Sequence, residues 1–225
     1  MEEINLEKID LTKNTFAAAL GVPEQKILEI IEELPSRPKE AFDKILREYH
    51  ELSVDNFAKA LSNNTSYLEA AVWLFRQIKK KKIVTLREFI FTCVALRVLH
   101  IATILMKEID LNKIDHTKEK INEVIGLKPT DFDCCMDFLL SQYTLRDFFD
   151  FLRKNAFSSV EIVEAILSTT RMSLAITNLW RSKGREKIST EEFLLTFIYL
   201  RSFVFGIPLL MEIVKFDYPL RMPNS

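Results

Sequence analysis

Two segments, VTLREFIFTCVALRVLHIATILMKEI (Val84–Ile109) and ISTEEFLLTFIYLRSFVFGIPLLMEI (Ile188–Ile213), decide how this chain is built. Each opens on a capping pair, Thr85 with Glu88 and Ser189 with Glu192, whose hydroxyl and carboxylate can satisfy backbone N–H groups at a helix start. Each is then apolar nearly all round, as a helix buried at the centre of a domain must be. Each also carries one arginine near its middle, Arg97 or Arg201. Within them, Phe89–Met106 and Phe193–Met211 are each near the length of a membrane span. An arginine at the centre of a bilayer costs at least about 2.5–3.5 kcal/mol, so buried core helices and no membrane partner are expected.

The match continues upstream. LFR (Leu74–Arg76) stands over LWR (Leu179–Arg181), and AFDKILREYHELSVDNFAKALS (Ala41–Ser62) over DFFDFLRKNAFSSVEIVEAILS (Asp147–Ser168). EINLEKIDLTKNTFAAALGV (Glu3–Val22) stands over EIDLNKIDHTKEKINEVIGL (Glu108–Leu127). Four blocks in one order at an offset of about 105 residues are too far apart for a solenoid and read as a duplicated domain. The expectation is an all-α protein, a tandem duplication of a roughly six-helix domain. Repeat A covers 1–108 and repeat B covers 109–225, ending in an irregular tail after Phe216 with Pro219 and Pro223. In repeat A the helices are expected over 12–20, 23–34, 39–51, 54–62, 66–78 and 86–108. Gly21 and Gly126 end the first helix of each copy, where a left-handed residue is cheap only for glycine. Pro23 and Pro129 suit the opening turn of the next.

Composition agrees. The 225 residues are 48% hydrophobic with only 4 Gly and 7 Pro, too few turn formers for a sheet-rich fold. A formal net charge of −1 gives no global pull toward nucleic acid or anionic lipid. Cys93, Cys134 and Cys135 are odd in number and form no CxxC, so neither a disulfide framework nor a zinc site is expected. The acidic N-terminus lacks the apolar stretch of a signal peptide, and a cytoplasmic location is expected.

The segment LWRSKGREKISTEEFLLTF (Leu179–Phe197) resembles the second half of an EF-hand. Trp180 takes the aromatic place that ends the entering helix. The twelve-residue loop would run from Arg181 to Glu192, with Ile188 at position 8 and Phe193 just beyond. The first copy ends alike, with Phe75, Val84, Thr85, Glu88 and Phe89, in a loop one residue longer. Weaker echoes lie upstream at Leu52–Phe57 and Ser158–Val163, where the family would place the paired half. The resemblance implies an EF-hand-like fold, but the ligands are gone. Positions 1, 3 and 5 are Arg181, Lys183 and Arg185, and in the first copy Gln77, Lys79 and Lys81. Cationic side chains repel a metal ion, so no metal and no cofactor are expected. The basic residues are expected to replace the ion's charge opposite Glu88 and Glu192.

Other features carry less. TFAAALGVPEQKILEII (Thr15–Ile31) has helix-turn-helix spacing, yet its second helix carries Glu24, Glu29, Glu32 and Glu33, which phosphates would repel. Arg97 and Arg201 are expected to be structural buried charges with polar partners. His50, His100 and His116 are scattered, with His100 expected in the core. Asp10 and Asp115 match one another without a neighbouring acid at metal spacing. No HExxH, Gly-rich phosphate loop or GxSxG occurs, and no enzyme is expected.

The function expected is therefore a non-enzymatic interaction or scaffold protein. It would dock a protein partner through a helical groove or through paired basic loops, Lys79, Lys81 and Lys82 in one copy and Arg181, Lys183, Arg185 and Lys187 in the other. Nucleic-acid binding through those two clusters is the alternative.

Overall fold

A computed structural model describes residues 2–13, 15–49 and 51–217, with burial and side-chain contacts, residue 145 apart, as far as residue 204. The chain falls into two compact units, residues 1–104 with Leu140–Gln142, and residues 105–139 with 143–225. Unit 1 contains β1 (Glu3–Asn5), α1 (Phe16–Leu20), α2 (Glu24–Glu32), α3 (Pro38–Glu48), α4 (Val54–Asn63) and α5 (Tyr67–Trp73). A π-helical turn, Leu74–Ile78, continues α5, and β2 (Ile83–Thr85) and α6 (Leu86–Leu105) follow. Unit 2 contains β3 (Glu108–Asp110), α7 (Ile121–Val124), α8 (Pro129–Gln142, apart from its last three residues), α9 (Leu145–Lys154) and α10 (Ser159–Leu167). It ends with α11 (Met172–Ser182), β4 (Lys187–Ser189) and α12 (Thr190–Asp217). The described residues are thus mostly helical, and both units run through one succession of elements.

The punctuation follows local chemistry. Gly21 and Gly126 both hold φ of 68°, and Val22 N–H reaches back to the Ala17 carbonyl to close α1. The first helix begins later than residue 12, because Asp10 Oδ1 accepts from Thr12 N (3.0 Å) and Thr12 Oγ1 (2.6 Å) in a local turn, and Thr15 caps α1 instead. Asp115 does the same with Thr117. At α12 the capping pair is reciprocal, with Glu192 N donating to Ser189 Oγ (3.0 Å) and Ser189 N to Glu192 Oε2 (2.8 Å).

The cores sit around α6 and α12. In unit 1, Phe57, Phe75, Phe89 and Phe91 are fully buried, and Phe75 stacks on Phe89 at 6.0 Å. In unit 2, Trp180 and Phe193 are buried, Phe157 meets the Trp180 ring edge-on at 4.9 Å, and Trp180 Nε1 donates to Thr196 Oγ1 (3.0 Å). Burying one such side chain is worth about 1.5–3 kcal/mol. Leu86–Met106 is long and apolar enough to cross a membrane by length and composition, but more than half of it is packed inside the protein.

Two expectations are corrected. First, two-stranded antiparallel ribbons join the helices, with β1 against β2 (Ile4 opposite Val84) and β3 against β4 (Ile109 opposite Ile188). The residues at loop position 8 therefore pair with the segments that open each unit. The upstream stretches Leu52–Phe57 and Ser158–Val163 are instead helix starts, capped by Ser53 and Ser158. Second, Arg97 and Arg201 are exposed, not buried. Each lies on the narrow solvent-facing stripe of its helix, which in α6 runs through Arg97 and Thr103. His50 and the tail beyond Asp217 lie outside the described residues.

Candidate functional site

All seven singled-out side chains of the basic loops find acceptors within the chain. Lys79 Nζ is 2.6 Å from Glu88 Oε1 and 3.0 Å from Glu51 Oε2, with its side chain 5% exposed. It also lies over the rings of Phe75 (5.6 Å) and Tyr49 (5.7 Å). Lys81 approaches Glu88 at 3.6 Å and Lys82 reaches Glu7 at 2.9 Å. In unit 2, Lys183 meets Glu161 (2.5 Å), Arg185 meets Glu192 (3.2 Å) and Lys187 meets Glu108 (2.7 Å). Arg181 donates to Asn112 Oδ1 (2.6 Å) and to the Leu111 carbonyl (3.3 Å). Arg185 also covers the Trp180 ring at 5.3 Å. Lys183 and the Ser158 cap together hold the Glu161 carboxyl down at about 2.

The last glutamate of each loop thus takes a side-chain cation of the same loop, Glu88 from Lys79 and Glu192 from Arg185. Among the described residues no group of three His, Cys, Asp or Glu side chains could hold a metal ion. The one-residue difference in loop length is absorbed by the π-helical turn. Lys81 N–H reaches the Phe75 carbonyl (2.9 Å) where Arg185 N–H reaches that of Trp180 (3.1 Å), so one residue more is spanned in unit 1.

A concave surface lies in unit 2. A groove of about 710 Å³ opens between the segment ahead of α7, the start of α11 and one face of α12. Ile121, Phe132, Met172, Phe197 and Val204 supply its apolar lining. Lys118, Lys120, Arg171 and Arg201 surround it against one acid, Glu119, and all five are exposed. Lys120 approaches Glu123 at 3.8 Å, at the surface. Arg201 lies 6.0 Å over Phe197. Arg171 donates to the His116 carbonyl, and His116 Nδ1 is 3.2 Å from the buried Ser173 hydroxyl. Burial, with help from Arg181 and Arg171, pushes the His116 pKa down.

The start of α11 adds to this field. Arg171 occupies its N-cap without a side-chain cap bond, and the first turn carries no acid. The positive end of the helix therefore lies beside the arginines rather than being neutralised locally.

Sequence reasoning placed Arg201 in its helix but not on this rim, and missed Lys118, Lys120 and Arg171. These residues come from separate segments, and no local pattern joins them. One signal was present. Arg171 stands where a capping residue belongs, in the register where unit 1 has Ser66.

No protein-family model, no curated protein and no solved structure matches the chain.

Proposed function

We propose that this chain is a non-enzymatic docking protein, a tandem duplication of one six-helix domain, in which the unit 2 groove receives a segment of a protein partner. The observation that carries the reading is the groove itself, an apolar floor with four cations at its rim and room for side-chain anchors. The common order of elements in the two units supports the duplication. The ribbon at loop position 8 and the closing glutamates support a degenerate EF-hand-like loop in which a lysine or arginine stands in for the metal charge. Carboxylates or carbonyls of the same chain engage the basic loops, and the groove sets an apolar floor beside its cations, which favours it as the docking site.

The test is affinity capture with the full chain and with Arg171→Glu/Arg201→Glu, each with and without nuclease. A stoichiometric protein that survives nuclease and is lost with the variant supports groove docking. Capture lost with nuclease moves the function to nucleic acid, and a partner retained by the variant moves the site away from the groove.

A further inference from the structure

On the reading that the unit 2 groove docks a partner, we infer that its occupant is an acidic amphipathic helix. Apolar side chains of that helix lie on the Phe132–Phe197 floor, and its carboxylates meet Arg171, Arg201, Lys118 and Lys120.

Charge selects the occupant. The rim carries four cations and one carboxylate, in a chain whose overall formal charge is −1. The imbalance is therefore local to the groove. The cations come from three places, the segment before α7, the N-cap of α11 and the exposed stripe of α12. A point anion could engage only some of them. A ligand with several carboxylates spaced along it engages them all, and salt-sensitive association follows. The floor adds the second requirement. Ile121, Phe132, Met172, Phe197 and Val204 offer a nucleic-acid backbone nothing, whereas an amphipathic helix brings anchors of matching chemistry.

Unit 1 contains an internal precedent for the carboxylate. There α5 starts at Ser66, and Glu69 in its first turn accepts from Thr65 N (3.0 Å), Thr65 Oγ1 (2.7 Å) and Ser66 N (3.3 Å). At the same register in unit 2, Ser66 is replaced by Arg171 and Glu69 by Leu174. The first turn of α11 has lost its own acid and gained a guanidinium. An acid supplied by a partner restores negative charge at the positive end of the helix.

The experiment uses fluorescence anisotropy with the full chain and four labelled probes. The first is a synthetic peptide of about three helical turns with Glu on one face and Leu and Phe on the other. The second has Lys in place of every Glu. The third keeps the composition of the first in a scrambled order that destroys the apolar face, and the fourth is single-stranded poly-uridylate. Saturable binding of the first is expected, at least about ten-fold tighter than the second and third, and weakening with salt. Arg171→Glu and Arg201→Glu are each expected to cost about ten-fold, while Arg97→Glu, on the other unit, leaves binding unchanged. Circular dichroism establishes that each variant is folded. Equal binding of the scrambled peptide, equal or tighter binding of poly-uridylate, or no saturable binding of the first peptide overturns the inference. If the peptides fail while the groove variant still loses a captured protein, the docking reading stands and the acidic helix falls.

Discussion

The starts of α5 and α11 occupy one place in the two units and solve one problem differently. In unit 1 the helix opens under a complete capping box, Ser66 with Glu69. Tyr67 then packs its ring on His100 and sets its hydroxyl 2.7 Å from His100 Nδ1. In unit 2 the register that sets Leu74 over Leu179 and Glu88 over Glu192 puts Met172 for Tyr67 and Val204 for His100. Both replacements line the open groove, beside an uncapped helix start. One unit has spent this position on its own stability. The other sets exposed Arg171 and Arg201 beside apolar side chains at the same place.

The loops that follow these helices differ in burial, and that difference gives the largest expected effect. Lys79 is nearly buried against Glu88, whereas the Arg185 side chain is 45% exposed beside Glu192. Removing one member of a buried pair strands the other charge, at a cost of about 3 kcal/mol or more. An exposed pair is screened by water and is worth less than about 1 kcal/mol. Lys79→Met leaves Glu88 only Lys81, 3.6 Å away, and is expected to lower the unfolding free energy by up to about 3 kcal/mol, and Arg185→Met by less than about 1 kcal/mol. Urea denaturation followed by circular dichroism measures both. Equal losses would mean that the two loops are held alike and that burial does not separate them.

The Tyr67–His100 contact gives a smaller effect. Tyr67→Phe keeps the ring and removes the hydroxyl, with an expected loss of about 1 kcal/mol in the same assay. The converse exchange, Met172→Tyr with Val204→His, writes the unit 1 pair into unit 2. It is expected to weaken binding of the acidic peptide while stability stays within about 1 kcal/mol. Unchanged binding in this double variant would break the comparison, because the groove would then not depend on what unit 1 fills.

Much of the helical framework was legible. The expected start of α4 coincides with the observed one, and Gly21, Gly126, Pro129 and the Ser189–Glu192 pair stand at the helix ends they were read to mark. What was not legible depended on distant partners. Strands of three residues, Glu3–Asn5 and Glu108–Asp110, are too short to show alternation, and their partners lie some 80 residues away in sequence. Arg97 and Arg201 were misplaced because helices apolar nearly all round conceal a solvent stripe one or two residues wide. The groove was invisible because Lys118, Arg171 and Arg201 meet only once the chain has folded.

The smallest expected effect concerns the residue that turns the chain out of each helix. Gly184 holds φ of 71° in unit 2, and at the same register in unit 1 Lys80 holds φ of 53°. A left-handed conformation costs a residue with a side chain about 1–2 kcal/mol and costs glycine nothing. Glycine, however, gives back about 0.5–1 kcal/mol through the greater freedom of its unfolded chain. The difference is about 0.5 kcal/mol, so Lys80→Gly is expected to stabilise and Gly184→Lys to destabilise by about that much. A Cβ at Gly184 would meet nothing within 4 Å, so no clash confuses the second measurement. The pair of variants isolates a backbone term that the two units share despite their different loop lengths. A destabilised Lys80→Gly would mean that the Lys80 side chain contributes more than its strained backbone costs, and the two turns would then be equivalent in shape but not in energy.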